Sequence, residues 1–187
     1  MASGNSGYPI IHMTYQIDPQ HSAAQFKVRH MMISNVKGEF DRIRGTVDFD
    51  PAHPEATKVD AVIDVASIST REPDRDAHLK SADFFDVEKF PEITFKSTGV
   101  AAHGDVHKVT GELTIHGVTK TVTLESESVS PEINDGWGNL RRGLSAHTHI
   151  DRRDFGLVFN IPMDGGGVVV GDKVDITLDL EMTRKPE

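Results

Sequence analysis

Cysteine is absent from this chain. Disulfide frameworks, thiol nucleophiles and cysteine-bound zinc are therefore excluded, although the lack of thiols assigns no compartment. Positive charge is in deficit: 20 Lys and Arg against 29 Asp and Glu leave a formal charge of −9. Such a surface repels phosphate backbones, so nucleic acid is not an expected partner. A polybasic membrane anchor is excluded for the same reason. Tyr8, Tyr15 and Trp137 are the only tyrosines and tryptophan, too few for a base-stacking platform. No hydrophobic run approaches membrane-spanning length. The opening Met1–Met13 lacks the basic and apolar regions of a secretory signal. Residues 1–13 read as a flexible leader or tag remnant, ahead of one domain over 14–187. On that basis the protein is expected to be cytoplasmic as it stands, and periplasmic if a signal segment has been removed. Gly-x-Ser-x-Gly, the Walker loop, the dinucleotide fingerprint and His-Glu-x-x-His are all missing.

What is present is alternation. Phe26, Val28 and His30 alternate with Gln25, Lys27 and Arg29. The same period of two recurs at Ile43–Phe49 and Val59–Val65, and most clearly at Val174, Ile176, Leu178 and Leu180. Each reads as a strand with one buried and one wet face. Further strands are predicted over 92–99, 107–115, 118–130, 140–151 and 168–183. Asp50-Pro51, His53-Pro54, His116-Gly117, Asn134–Gly136 and Gly165–Gly167 supply the turns. Two short helical pieces are expected, a turn over 31–36 and a helix over 73–81 with Pro73 at its first position. About eight antiparallel strands give an all-β class. Closure into a barrel is favoured because it removes sheet edges, and a barrel of that size has room for one small ligand.

Several side-chain groups admit both a functional and a structural reading. Phe84, Phe85, Phe90 and Phe95 form either the rim and wall of an apolar channel or a plug that staples the helical insertion down. Asp74, Asp76 and His78 form an acid/base set, or Arg71 and Arg75 hold an anionic head group; alternatively the whole stretch is an ion network fixing a cap. Asp74 and His78 lie one helical turn apart and are placed to pair. His147 and His149 share one strand face and would begin a metal site if His30, His107 or Asp151 supplied a third ligand. Arg152, Arg153 and Asp154, before Phe155-Gly156, either neutralise a ligand phosphate or close a strand end at a glycine bend.

A longer series of segments resembles a known family. In order these are Tyr15-Gln-Ile-Asp-Pro-Gln-His-Ser22, Phe26-Lys-Val-Arg-His30, Gly38-Glu-Phe40, Gly45-Thr-Val-Asp-Phe-Asp50 and Ser67-Ile-Ser-Thr70. Arg75-Asp-Ala-His-Leu-Lys-Ser81, Asp83-Phe-Phe-Asp-Val87 and Phe90-Pro-Glu-Ile-Thr-Phe-Lys-Ser97 follow. Gly111-Glu-Leu-Thr-Ile-His-Gly-Val-Thr-Lys120 and Arg152-Arg-Asp-Phe-Gly156 complete the series. Their order and spacing resemble the YceI-like family of lipocalin-like polyisoprenoid-binding proteins over roughly residues 15–184. The resemblance implies an eight-stranded antiparallel lipocalin-like barrel with a short helical cap, a long internal tunnel, and frequent dimer formation. It transfers no catalytic residue.

The expected function is therefore non-enzymatic binding, for transport or storage, of a polyisoprenoid, a quinone-like lipid or another long-chain amphiphile. The expected lining is Phe26, Val28, Phe40, Phe49, Ile63, Ile68, Leu79, Phe84, Phe85, Phe95, Leu113, Ile115 and Phe155. Arg75, Asp76, His78 and Arg152 are expected at the mouth, orienting a head group or fastening the cap. No cofactor, metal or stable membrane anchor is expected, and the oligomer anticipated is a homodimer. The alternative is an enzyme acting on an isoprenoid or its head group through Asp76 and His78.

Overall fold

In the computed structural model, residues 13–186 are described. The expected leader therefore lies outside the described residues except for Met13, which already belongs to the first strand. The elements are β1 (Met13–Ile17), β2 (Ala23–His30), β3 (Ser34–Phe40), β4 (Ile43–Phe49), β5 (Lys58–Asp64), β6 (Ile68–Ser69), α1 (Pro73–Lys80), β7 (Glu92–His103), β8 (Val106–Ile115), β9 (Val118–Glu127), β10 (Ile133–Asn134), β11 (Leu140–Asp151) and β12 (Val170–Arg184).

Eight of these strands close a ring. The order β11-β9-β8-β7-β5-β4-β1-β12 returns to β11 through the β11–β12 pairing. Every pairing is antiparallel, as short turns between consecutive strands require. β12 is the pivot. One edge pairs with β11 from Arg184 to Lys173, while the other pairs first with β1 and then with β2. β2, β3 and β6 extend the wall beyond the end of β1.

The expected helical turn over 31–36 is not formed. Met31 and Met32 take φ of 49° and 62°, turning the chain back so that His30 faces Ser34 across a three-residue hairpin. Val36 then pairs with Val28 as part of β3, because a hairpin buries the alternating apolar face that an isolated turn would leave wet. The β8–β9 hairpin instead uses His116 and Gly117, both left-handed at φ 52° and 73°, the conformation a two-residue hairpin favours. α1 starts where Pro73 predicts; Glu72 caps it by accepting from the Asp74 N–H at 3.3 Å. It ends one residue early, at Lys80, with Ser81 as its C-cap.

Two glycines set the bore. A Cβ on Gly38 would lie 2.3 Å from Cζ of Phe26, and one on Gly111 would lie 2.5 Å from Cζ of Phe95. Each glycine lets an inward phenylalanine lie flat over the neighbouring strand. Two apolar clusters result. One gathers Phe40, Val65, Ile68, Ile93, Ile115 and Phe155 near α1; the other gathers Tyr15, Ile17, Val47, Phe49 and Met182 at the opposite end. No helix among the described residues is long and apolar enough to cross a membrane.

Candidate functional site

Between the two clusters the barrel is hollow. The cavity measures about 430 Å³, within the range of small-molecule sites. Its walls come from every strand of the ring except β1, and from β2 and β3. α1, the Phe84-Phe85 segment and the segment after Leu157 crowd one end. Every apolar residue expected inside faces the cavity except Ile68 and Phe155. Those two are almost wholly buried in the cluster behind the wall, so they support the lining and do not form it. Phe90 also stays outside; its ring stands edge-on to His116 at 4.5 Å.

Of the four charged mouth residues, Asp76 does not reach the lining, while Arg75, His78 and Arg152 do. All four have other partners. Asp76 Oδ1 accepts from the Thr70 amide at 2.8 Å and from its hydroxyl at 2.5 Å. Arg75 donates through Nε to Thr70 Oγ1 at 2.7 Å and through Nη2 to the Thr70 carbonyl at 3.0 Å. His78 bonds Asp83 through Nε2 at 2.8 Å, not Asp74. Residues two apart on a helix point away from one another, so Asp76 and His78 form no acid/base pair. Both fasten the cap.

Arg152 is buried. Its guanidinium donates to the carbonyls of Gly171, Leu157, Phe159 and Val170 at 2.9, 2.5, 2.9 and 3.2 Å, and to Asp172 at 3.4 Å. Burial draws its pKa below the usual arginine value, against the opposing charges of Asp172 and Asp151. A phosphate would have to displace these carbonyls, so Arg152 fastens the 157–170 segment across the mouth. Asp151 caps the short 3-10 turn that presents it, and Gly156, left-handed at φ 75°, ends that turn.

His147 and His149 are exposed on the outer face, with His147 Nε2 3.5 Å from Glu125. His30 and His107 face the interior, so the sheet wall separates them from this pair, while Asp151 is bonded by Arg153. Among the described residues, Asp18, His21 and Glu181 come within reach of one ion. Arg141 already bonds both carboxylates there, lying 2.7 Å from Asp18.

Two features of the site carry no local sequence signal. Phe159 closes a three-ring cluster over the mouth, 5.0 Å from His78 and 5.1 Å from Phe84; His78 and Phe84 meet at 5.1 Å. At the far end Tyr15 donates to Glu132 and accepts from Arg142 Nε at 2.8 Å. Arg184 forks onto Glu132 at 2.9 and 3.0 Å. Asp135 receives Arg141 Nε at 2.8 Å. These links tie the segment after β9 to β1, β11 and β12.

A family model described as the YceI-like domain matches residues 15–182. A protein of Yersinia pestis (strain Pestoides F), named UPF0312 protein, is 40% identical over 169 residues, covering 89% of this chain and 84% of its own length. Protein YceI of Escherichia coli O157:H7 is 39% identical, with 89% and 85% covered. Among solved structures, BcnA of Burkholderia cenocepacia superposes with a TM-score of 0.76 at 27% identity, over 88% of this chain and 98% of its own. A polyisoprenoid binding domain from Saccharophagus degradans, described as implicated in plant cell wall breakdown, shares the fold. Its TM-score is 0.65 at 16% identity, over 92% and 98%.

Proposed function

Because the chain belongs to the YceI-like domain family, we propose that it is a non-catalytic carrier whose barrel holds one long-chain amphiphile, a polyisoprenoid or quinone-like lipid, for transport or storage. The observation that carries this reading is the hollow apolar barrel. A cavity of about 430 Å³ remains between two filled clusters, walled by Phe, Val, Leu and Ile from all sides of the ring. Burial of hydrocarbon contributes about 0.8 kcal/mol per CH₂. An isoprenoid chain thus gains affinity from length alone, without a catalytic group. The polyisoprenoid binding named for the Saccharophagus domain supports the same cargo class.

The test is native mass spectrometry of the purified protein, followed by denaturation and identification of what is released. A stoichiometric long-chain lipid is the expected result. An empty barrel that takes up no added isoprenoid would overturn the proposal.

A further inference from the structure

The polar side chains that reach the cavity differ in whether their hydrogen-bonding groups are already used. The arginines of the lining are Arg29, Arg75 and Arg152, all at the α1 end. Arg29 donates to the Met32 carbonyl at 2.9 Å, Arg75 is held by Thr70, and Arg152 by four carbonyls. The rim outside them is apolar, with Ile33 78%, Val158 65%, Met32 56% and Ile161 52% exposed.

The opposite end differs. His107 faces the cavity from β8 and is paired in register with Ser126 of β9. Both line the cavity, and the His107 imidazole makes no hydrogen bond or ion pair with a described residue. Ser126 donates its hydroxyl proton to the Glu127 carbonyl at 2.7 Å, which leaves oxygen lone pairs to accept with. No lysine or arginine lines this end. His107 lies eight positions along β8 from Ile115, which packs in the cluster beside α1. At ~3.4 Å per residue and a strand tilt near 40°, it sits roughly 20 Å below the mouth.

His30 is a second imidazole without a hydrogen bond to a described residue, and it faces the cavity at the mouth. Water decides between the two. A polar head at the mouth stays hydrated and requires nothing from the protein. A polar head at the deep end loses its water and requires a partner. Ser126 marks the deep end as dry, since it is buried while its register partner His107 is half-buried with its ring unpaired.

Resting on the reading of the barrel as a lipid site, we infer that His107, with Ser126, receives the polar function of the cargo. The amphiphile lies head-down, and its hydrocarbon rises toward the apolar rim. No cation lines the deep end, and the guanidinium nearest it, Arg142 over the Phe49 ring, already bonds Tyr15 and the Ser130 carbonyl, so the head it fits is uncharged: a hydroxyl, quinone carbonyl or amide. A diphosphate would need arginine forks, and the arginines that line the cavity are all at the other end.

The experiment is competition of a fluorescent lipid from delipidated full-length protein by an isoprenoid alcohol, the hydrocarbon of equal length, and the matching prenyl diphosphate. The wild type should prefer the alcohol to the hydrocarbon about five- to tenfold, the worth of one net hydrogen bond, and should bind the diphosphate more weakly than the alcohol. His107→Leu should abolish the alcohol preference while keeping hydrocarbon affinity, and His107→Gln should restore part of it. If His107→Leu does not fold, Ser126→Ala should at least halve the preference. A preference that survives His107→Leu, as a head held at His30 would give, overturns the inference. So does tighter binding of the diphosphate. Displacement by neither alcohol nor hydrocarbon overturns the lipid reading beneath it, which is a separate failure.

Discussion

At the scale of single residues, charge near a cavity is a poor guide to what the cavity binds. Arg152 lies against the lining, yet its donors end on backbone carbonyls and Asp172. Arg152→Met should therefore act on stability. It leaves several carbonyls without a donor and should cost roughly 3 kcal/mol in urea unfolding. The neighbouring Arg153, exposed and paired with Asp151, should leave the urea midpoint almost unchanged when changed to Ala. Equal losses would remove the distinction. Leu113 acts the other way. It lines the bore opposite Phe95 in register, so Leu113→Trp should narrow the cavity and shift the retained cargo toward shorter chains, read by mass spectrometry of released lipid. Unchanged cargo length would place the chain elsewhere. The inward identity of Phe26, Phe95 and Leu113 was legible from alternation, since period two alone assigns a face. The fates of Arg75, Asp76 and His78 were not. Their partners, Thr70 and Asp83, lie only a few residues away, but which of several nearby groups a helix residue meets depends on its direction around the helix.

At the scale of elements, strands and turns were readable wherever local chemistry decides them. Pro73 opens α1, and His116-Gly117 makes the β8–β9 hairpin. β3 was misread because Met31 and Met32 adopt left-handed backbone that their side chains do not advertise. The mouth was unreadable for another reason: it is assembled from segments distant in sequence. Phe159 reaches back to His78 and Phe84, joining the 157–170 segment to the cap. Each ring contact of this kind contributes about 0.5–1.5 kcal/mol. Phe159→Ala should therefore loosen this segment more than the barrel. Amide hydrogen exchange should accelerate over 157–169 while β8 and β11 keep their protection, and a preloaded fluorescent lipid should leave faster. Exchange accelerating uniformly across the strands would show that the ring cluster belongs to the global core and not to a local latch.

At the scale of the whole molecule, the two ends of the barrel are held by different physics. The α1 end is fastened by single charged side chains bonded mainly to neutral partners, Arg75 and Asp76 to Thr70 and the buried Arg152 to carbonyls, together with edge-on and tilted rings. The other end is fastened by carboxylates against arginines. Burial alone would raise the pKa of Asp18, but hydrogen bonds with His21, the Gln20 amide and Arg141 outweigh it and lower it. Glu132 is likewise lowered, burial being outweighed by hydrogen bonds from Arg184 and Tyr15 and by the charges of Arg184 and Arg142. Asn139 and Arg141 hold Asp135 well below the usual carboxylate range. All three carboxyls are thus more acidic folded than unfolded. The stability they contribute is complete above the unfolded carboxylate pKa, near 4, and is lost as pH falls through their folded values. Unfolding free energy should hold from neutral pH down to about pH 5 and then decline. The net charge of −9 works in the opposite direction at first, because partial protonation relieves self-repulsion. A decline below pH 5 therefore reports the specific pairs and not the overall charge. Arg141→Met removes the guanidinium that binds Asp18, Asp135 and Glu181. It should lower stability at pH 7 and flatten the acid limb, so that mutant and wild-type curves converge toward pH 2. Parallel curves with a constant offset would mean that Arg141 contributes packing alone. The far end would then be closed by its apolar cluster of Tyr15, Phe49 and Met182, with the ion pairs as a covering that acid could remove without opening the barrel.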